Sequence, residues 1–152
     1  MIATALGQTN PVVRETPAQL QQLVAPIALY PDELVAQILT ASTYPTQIVD
    51  ADRWLGTNSE LQGEQLAAQV DQQSWDASVK ALTAFPSVVS NMDMNWQWTA
   101  ALGQAYLNQQ QDVLDAVQVI EADFNRSADT QLLRVTDTWC LHHRSCEVGR
   151  PR

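Results

Sequence analysis

The chain has 152 residues and a hydrophobic content of 45%, which fits one folded globular domain better than a disordered chain. Its formal net charge is −9, and residues 1–125 carry 14 acidic against three basic side chains, which argues against binding to nucleic acid or to anionic membrane surfaces. The same residues contain neither Cys nor His, which excludes His-dependent catalytic triads and thiol nucleophiles from this part of the chain.

Residues 1–15 are predicted to form a flexible leader, because Asn10-Pro11 interrupts the chain and no helical periodicity precedes it. Within the leader, Ala3-Thr4-Ala5 has the small-x-small pattern at which signal peptides are cleaved. No apolar stretch precedes this pattern. We therefore interpret it either as a signal-peptide remnant behind a misplaced or engineered start at Met1, or as a chance match.

A capping box marks the start of the first predicted helix. Thr16 takes the N-cap position, Pro17 the first helical position and Gln19 the third. Apolar residues follow at helical spacing, and Pro26 ends or kinks the helix within about a turn. The residues predicted to face inward are Leu20, Leu23 and Val24.

Three aromatic–proline pairs mark the predicted corners between later helices: Tyr30-Pro31, Tyr44-Pro45 and Phe85-Pro86. A proline disfavours helix at the residue before it and suits the first turn of the next helix. Two adjacent aliphatic residues follow shortly after each pair, as an inward helix face requires. We expect each proline to reset the chain direction and each aromatic ring to fill the core beside it.

The remaining pattern is also helical. Ser74 or Asp76 is predicted to cap one helix, and the longest helix is predicted from about residue 96 to at least residue 120. Gly103 and the glutamine run 109–111 are its weak points. The sequence therefore predicts an all-α domain over residues 16–123. Its expected architecture is a compact, orthogonally turning bundle of about six or seven helices with proline-defined corners.

Residues 124–152 differ from the rest in composition, because they are rich in Arg and hold both cysteines and both histidines. We expect them to form an atypical, poorly packed tail. Five residues separate Cys140 from Cys146, and the two histidines are adjacent, so we predict no zinc site; no other metal and no cofactor is predicted either. A disulfide between the cysteines is feasible if the chain is exported.

Seven short segments stand in order within about residues 18–120. They are Leu23–Asp32 (LVAPIALYPD), Ala41–Pro45 (ASTYP), Arg53-Trp54, Trp75–Lys80 (WDASVK), Phe85-Pro86, Trp98-Thr99 with Leu102-Gly103, and Asp112-Val113 with Asp115–Gln118. Together they closely resemble the bacterial family known as domain of unknown function (DUF) 3300. No single segment is specific, but the combination is.

The resemblance implies a Gram-negative envelope or periplasmic protein, exported by a signal peptide or a lipoprotein signal. It implies no reaction, because members of the family are uncharacterised. Family members continue with an Arg-rich helical segment and then with Pro/Tyr-Val-Pro segments, whereas residues 121–152 match neither. We therefore expect the resemblance to end near residue 120, and a frameshifted or truncated reading frame is one hypothesis for this departure.

Surplus aromatic residues are the most unusual feature of the helical region. Trp96 and Trp98 cannot share a helix face, so at least one is expected to be partly exposed. Aromatic platforms bind sugars and peptides, and an Arg beside a Trp can contact a carboxylate or a sugar. Core packing, and an ion pair for Arg53, are the structural alternatives. If a concave site exists, the predicted ligand-binding residues are Tyr30, Tyr44, Arg53, Trp54 and Trp75.

These observations favour a non-enzymatic role, that of an envelope binding or scaffolding module that recognises a protein or a cell-wall component. The rival hypothesis is a carboxylate-based glycan hydrolase that uses Asp32, Glu33 or Asp76, and it requires two carboxyl groups facing each other across a cleft. A third is a truncated gene product with no independent role. No nucleic-acid partner is predicted, and the charge-free stretches are too short and polar for a transmembrane segment.

Overall fold

A computed structural model describes residues 14–142 of the chain, and the side chains of residues 14–128. The described residues contain eight α-helices and no strand, which confirms the predicted all-α class. The helices are α1 (Pro17–Val24), α2 (Asp32–Ala41), α3 (Pro45–Thr57), α4 (Gly63–Asp71), α5 (Ala77–Leu82), α6 (Pro86–Met94), α7 (Trp96–Asn108) and α8 (Gln110–His142). The cleavage-site pattern Ala3-Thr4-Ala5, the break at Asn10-Pro11, and Cys146 lie outside the described residues.

The predicted helix starts are largely confirmed. Thr16 Oγ1 accepts a hydrogen bond from the backbone of Gln19, while Gln19 Oε1 accepts one from the backbone of Thr16 at 2.8 Å, which completes the capping box of α1. Prolines occupy the first position of α1, α3 and α6, and Pro31 directly precedes α2. Proline therefore sets the start of four helices, as the spacing indicated.

The aromatic residues before these prolines do not fill the core, and this prediction was wrong. Tyr30, Tyr44 and Phe85 have exposed fractions of 37%, 39% and 48%. Each precedes its proline in non-helical backbone directly before the next helix begins, where the chain turns at the surface of the bundle. The rings therefore remain at the corners and are available for contacts with solvent or with another molecule.

The longest predicted helix is divided at Gln109, so the chain has α7 and α8 in place of one element. Gln109 leaves the helical conformation and its buried side chain binds the backbone of Glu15 twice. Glu15 N donates to Gln109 Oε1 at 2.6 Å, and Gln109 Nε2 donates to the Glu15 carbonyl oxygen at 3.1 Å. These bonds hold the start of the described chain against the α7–α8 junction.

Helix α8 crosses the expected domain boundary at residue 123 without a break. No proline or glycine occurs between residues 110 and 142, so nothing in the backbone stops the helix there. The face of α8 that packs into the bundle ends at about Ile120, and the side chains of residues 122–127 are exposed. Residues 122–127 of α8 therefore lie outside the packed body of the domain.

Apolar side chains from every helix except α4 enclose one core, as the amphipathic pattern predicted. Ile38 and Leu39 of α2, Val79 of α5 and Leu102 of α7 are fully buried within it. Helix α4 reaches this core only through the half-buried Leu66.

Helices α2 and α7 approach each other most closely at Gly103. A Cβ atom at this position would overlap the carbonyl group of Ser42 and lie 2.9 Å from the backbone nitrogen of Thr43. Ser42 directly follows α2 and is buried, and its hydroxyl donates to the Leu39 carbonyl oxygen at 2.6 Å, so the chain at the end of α2 has little freedom to withdraw. Only glycine permits this helix crossing.

Asp76 caps helix α5 and links it to α3. Its Oδ1 accepts hydrogen bonds from the Ser78 hydroxyl at 2.6 Å and from the Ser78 backbone at 2.9 Å, while its own backbone N–H donates to Gln47 Oε1 at 2.7 Å. The bonds from Ser78, first that of its hydroxyl and then that of its backbone, hold the pKa of Asp76 below its ordinary value of 3.8.

We expect Gly103→Ala to lower the free energy of unfolding by about 2–3 kcal/mol, because overlap with Ser42 outweighs the gain of about 1 kcal/mol in helix propensity. Gly56→Ala in α3 is the matched control, because a Cβ there meets nothing within 4 Å. The control should be neutral or stabilising. Urea unfolding followed by circular dichroism measures both variants, and equal stability of the two would contradict the proposed close approach.

We expect Asp76→Ala to lower the free energy of unfolding by about 1 kcal/mol near neutral pH, through loss of the cap. The Asp76 carboxyl has a lower pKa in the folded protein than in the unfolded chain. Its charge therefore stabilises the fold fully at pH values above the unfolded pKa of 3.8, and this stabilisation is lost as the pH falls through the pKa of the folded protein. The difference between wild type and Asp76→Asn, which retains a neutral cap, should therefore shrink as the pH falls below about 4. Urea titrations at several pH values test this, and a constant difference would refute the charge contribution.

Candidate functional site

One surface pocket combines aromatic, apolar and amide side chains, and we refer to it as the Tyr30 pocket. It lies between the α1–α2 turn, α2, α6 and the start of α7, and its volume is about 290 Å³. Its lining residues are Pro26, Ile27, Tyr30, Ile38, Val88, Asn91, Met92, Asn95 and Trp98.

The α1–α2 turn forms one wall of the Tyr30 pocket, and Trp98 is bonded to the end of α1 directly before this turn. Trp98 Nε1 donates a hydrogen bond to the Leu23 carbonyl oxygen at 2.8 Å, which satisfies the polar atom of a half-buried indole. Within the turn, the N–H of Ile27 donates to the Val24 carbonyl oxygen at 2.9 Å. Ile27 thereby faces the core while Tyr30 remains at the surface.

The floor of the pocket is apolar and well packed. Ile27, Ile38 and Met92 are buried in the core, and Val88 is nearly so. Tyr30 is the one lining residue with a hydroxyl group, and this hydroxyl makes no hydrogen bond to a described residue. The pocket can therefore hold an apolar group, but it offers no carboxylate, imidazole or thiol for acid–base or nucleophilic chemistry.

Two carboxamides form the polar rim. Asn95 Nδ2 donates to the backbone carbonyl oxygen of Asn91 and to Asn91 Oδ1, each at 2.9 Å. Both side chains are exposed, and Asn95 is the single residue between α6 and α7. The pair is thus fixed in orientation at the junction of two helices.

The predicted site residues do not assemble in one place. Tyr30 and Tyr44 lie at opposite ends of α2, which is about 15 Å long. Trp54 and Trp75 do meet, with ring centroids 5.8 Å apart in an edge-to-face arrangement, and both are half-buried against the core. Of the five predicted residues, Tyr30 alone lines the Tyr30 pocket.

Arg53 is exposed on α3, and its guanidinium has no ion pair or hydrogen bond to the described part of the chain, so the predicted ion pair is not formed there.

Sequence reasoning also missed the roles of Asn91, Asn95 and Trp98 at the pocket. The i, i+4 spacing of Asn91 in α6 and Asn95 directly after it was a signal that could have indicated a polar pair. As predicted for the two tryptophans, Trp96 is exposed at 57% while Trp98 is half-buried.

The three carboxylates of the glycan hydrolase hypothesis, Asp32, Glu33 and Asp76, do not line the Tyr30 pocket. Asp32 and Glu33 are exposed in the first turn of α2, where negative charge is favourable. Asp76 is used as the α5 cap. Asp32 also lines a shallow groove of about 270 Å³ between α2 and α8, with Glu121 on the α8 side. Within the described region, no three acidic, His or Cys side chains are grouped so that they could hold a metal ion.

None of the helices in residues 14–142 is both long and apolar enough to cross a membrane. Comparison with known proteins finds relatives but no matching solved structure. Uncharacterized protein YacH of Escherichia coli (strain K12) is 52% identical over 101 residues, which are 66% of this chain and 16% of that protein. The chain therefore spans a small part of the length of this curated relative.

A family model described as "Protein of unknown function (DUF3300)" matches residues 16–138. The match extends past residue 120, where the sequence resemblance was expected to end, and it includes residues 122–127 of α8, whose side chains are exposed. Since the match covers well over half of the chain, the protein belongs to the DUF3300 family, whose function is unknown.

Proposed function

We propose that this domain is a binding module that holds an apolar side group of a partner in the Tyr30 pocket. The observation that carries the proposal is the combination of a preformed apolar floor with an exposed aromatic wall and a fixed amide rim. Binding sites commonly have this composition, in which apolar walls supply affinity and a few polar groups supply orientation.

Exposed apolar residues beside the pocket support a docking role. Leu29, Met94 and Trp96 have exposed fractions of 59%, 73% and 57%, and each is adjacent in sequence to a residue that lines the pocket. Large apolar side chains grouped at a surface are typical of interaction sites in otherwise soluble folds. Their position extends the contact area beyond the small pocket itself.

The lining favours binding over catalysis. The pocket contains no carboxylate, and Asp76 is committed to the α5 cap, so the glycan hydrolase hypothesis lacks an opposed pair of carboxyl groups at this site. Placement of the domain in the cell envelope, with an envelope protein or a cell-wall component as partner, remains part of the proposal and rests on the family resemblance.

The proposal is tested by titrating the ¹⁵N-labelled chain with indole, a single apolar ring. We expect saturable shifts of the Trp98 Nε1–H and of the Asn91 and Asn95 amide signals, with a dissociation constant of about 1 mM for so small a probe. Tyr30→Ala removes the exposed aromatic wall and should weaken binding about five- to tenfold.

Phe85→Ala is the matched control, because Phe85 also precedes a proline and is exposed but does not line the pocket. It should leave indole binding unchanged. Absence of a saturable shift at the pocket would refute the proposal. Loss of binding in Tyr44→Ala, with Tyr30→Ala unaffected, would move the site to the other end of α2 and would refute it equally.

A further inference from the structure

The amide rim presents one free donor and one free acceptor. Only the amino group of Asn95 can donate to the Asn91 carbonyl oxygen, so its Oδ1 points away from this bond, and Asn91 must turn its own Oδ1 toward Asn95. Asn91 Nδ2 and Asn95 Oδ1 consequently have no partner within the described part of the chain. A peptide backbone, with its C=O and N–H groups, offers the complementary acceptor and donor.

The size of the Tyr30 pocket limits what can enter it. A volume of about 290 Å³ lies at the lower end of small-molecule sites and suits one ring or one bulky side chain. The buried thioether of Met92 on the floor and the indole of Trp98 on the wall favour an aromatic ring. The pocket therefore fits an anchor residue of a longer ligand.

The charge of the surrounding elements is uniformly negative. Residues 25–41 and 86–108, the turn and helices that supply every lining residue, contain three acidic side chains and no basic one. Asp32 follows closely on Tyr30 in the chain, and Asp93 lies between Met92 and Asn95. A ligand with positive charges beside its anchor is attracted to this surface, and one with negative charges is repelled.

We infer that the ligand of the Tyr30 pocket is an extended, basic polypeptide segment. Its aromatic side chain enters the pocket, and a backbone carbonyl accepts from Asn91 Nδ2 while a neighbouring backbone N–H donates to Asn95 Oδ1. This inference rests on the proposed binding function and chooses a protein partner over a glycan, because an N-acetylated glycan can offer an amide but not the positive charge beside the anchor.

Calorimetric titration with five-residue peptides tests the inference. The reference peptide is acetyl-Gly-Lys-Phe-Lys-Gly-amide, and its variants replace Phe by Ala, or both Lys by Glu. We expect the Ala variant to lose binding and the Glu variant to bind about tenfold more weakly at low salt, with the charge difference shrinking as salt is added. Equal binding of all three peptides would contradict the inference.

The amide rim is tested with a backbone ester and with a protein variant. Replacing the N–H that follows Phe by an ester oxygen should weaken binding about threefold to tenfold. Asn91→Asp keeps the acceptor for Asn95 but removes the free donor, and at high salt, where its added negative charge is screened from the lysines, it should cause a similar loss. Gln97→Ala, at an exposed residue of α7 that does not line the pocket, is the control and should bind the reference peptide normally.

Two results separate failure of this inference from failure of the proposed function. If indole binds at the pocket but the reference peptide binds no better than its Ala variant, the polypeptide inference is wrong and the binding function stands. If N-acetylglucosamine trimer shifts the pocket signals and the peptides do not, the partner is a glycan and the inference is again wrong. If neither indole nor any of these ligands binds, both proposals fail.

Discussion

The backbone of α7 touches the chain at the end of α2, where Gly103 lies against Ser42 and no side chain would fit. Nearer its start, α7 carries Trp98, whose indole donates to the Leu23 carbonyl oxygen. That single bond joins α7 to the end of α1. Both α2 and α7 supply lining residues of the Tyr30 pocket, so the pocket includes two elements that Gly103, itself outside the pocket, allows to pack this closely.

The helical order of the domain could be predicted from local chemistry, because prolines and capping residues act on their immediate neighbours. Thr16, Pro45 and Pro86 each mark a helix start that the structure confirms. The division at Gln109 could be suspected from weak propensity, but its cause could not be seen. Gln109 leaves the helix to bind Glu15, a residue 94 positions away in the chain, and no local pattern records such a pairing.

At the candidate site too, local sequence patterns predict single residues, whereas long-range packing decides which residues come together. Tyr30 was predicted because an aromatic residue beside a proline is conspicuous, yet its expected neighbours Trp54 and Trp75 pack together elsewhere. The residues that complete the pocket come from helices joined by long-range packing, which spacing along the chain does not reveal. Among these, Asn91 and Asn95 are ordinary polar residues in the sequence, and only the fold gives them a shared orientation at an apolar rim.

The contact between Trp54 and Trp75 has a spectroscopic consequence. Two indoles held edge to face, with ring centroids 5.8 Å apart, couple their electronic transitions and give an exciton couplet in the far-ultraviolet circular dichroism spectrum. The couplet reports whether α3 still touches the segment before α5, whereas the helical ellipticity reports the backbone of all eight described helices. The domain thus carries a built-in optical probe that distinguishes local separation of one side of the bundle from global melting.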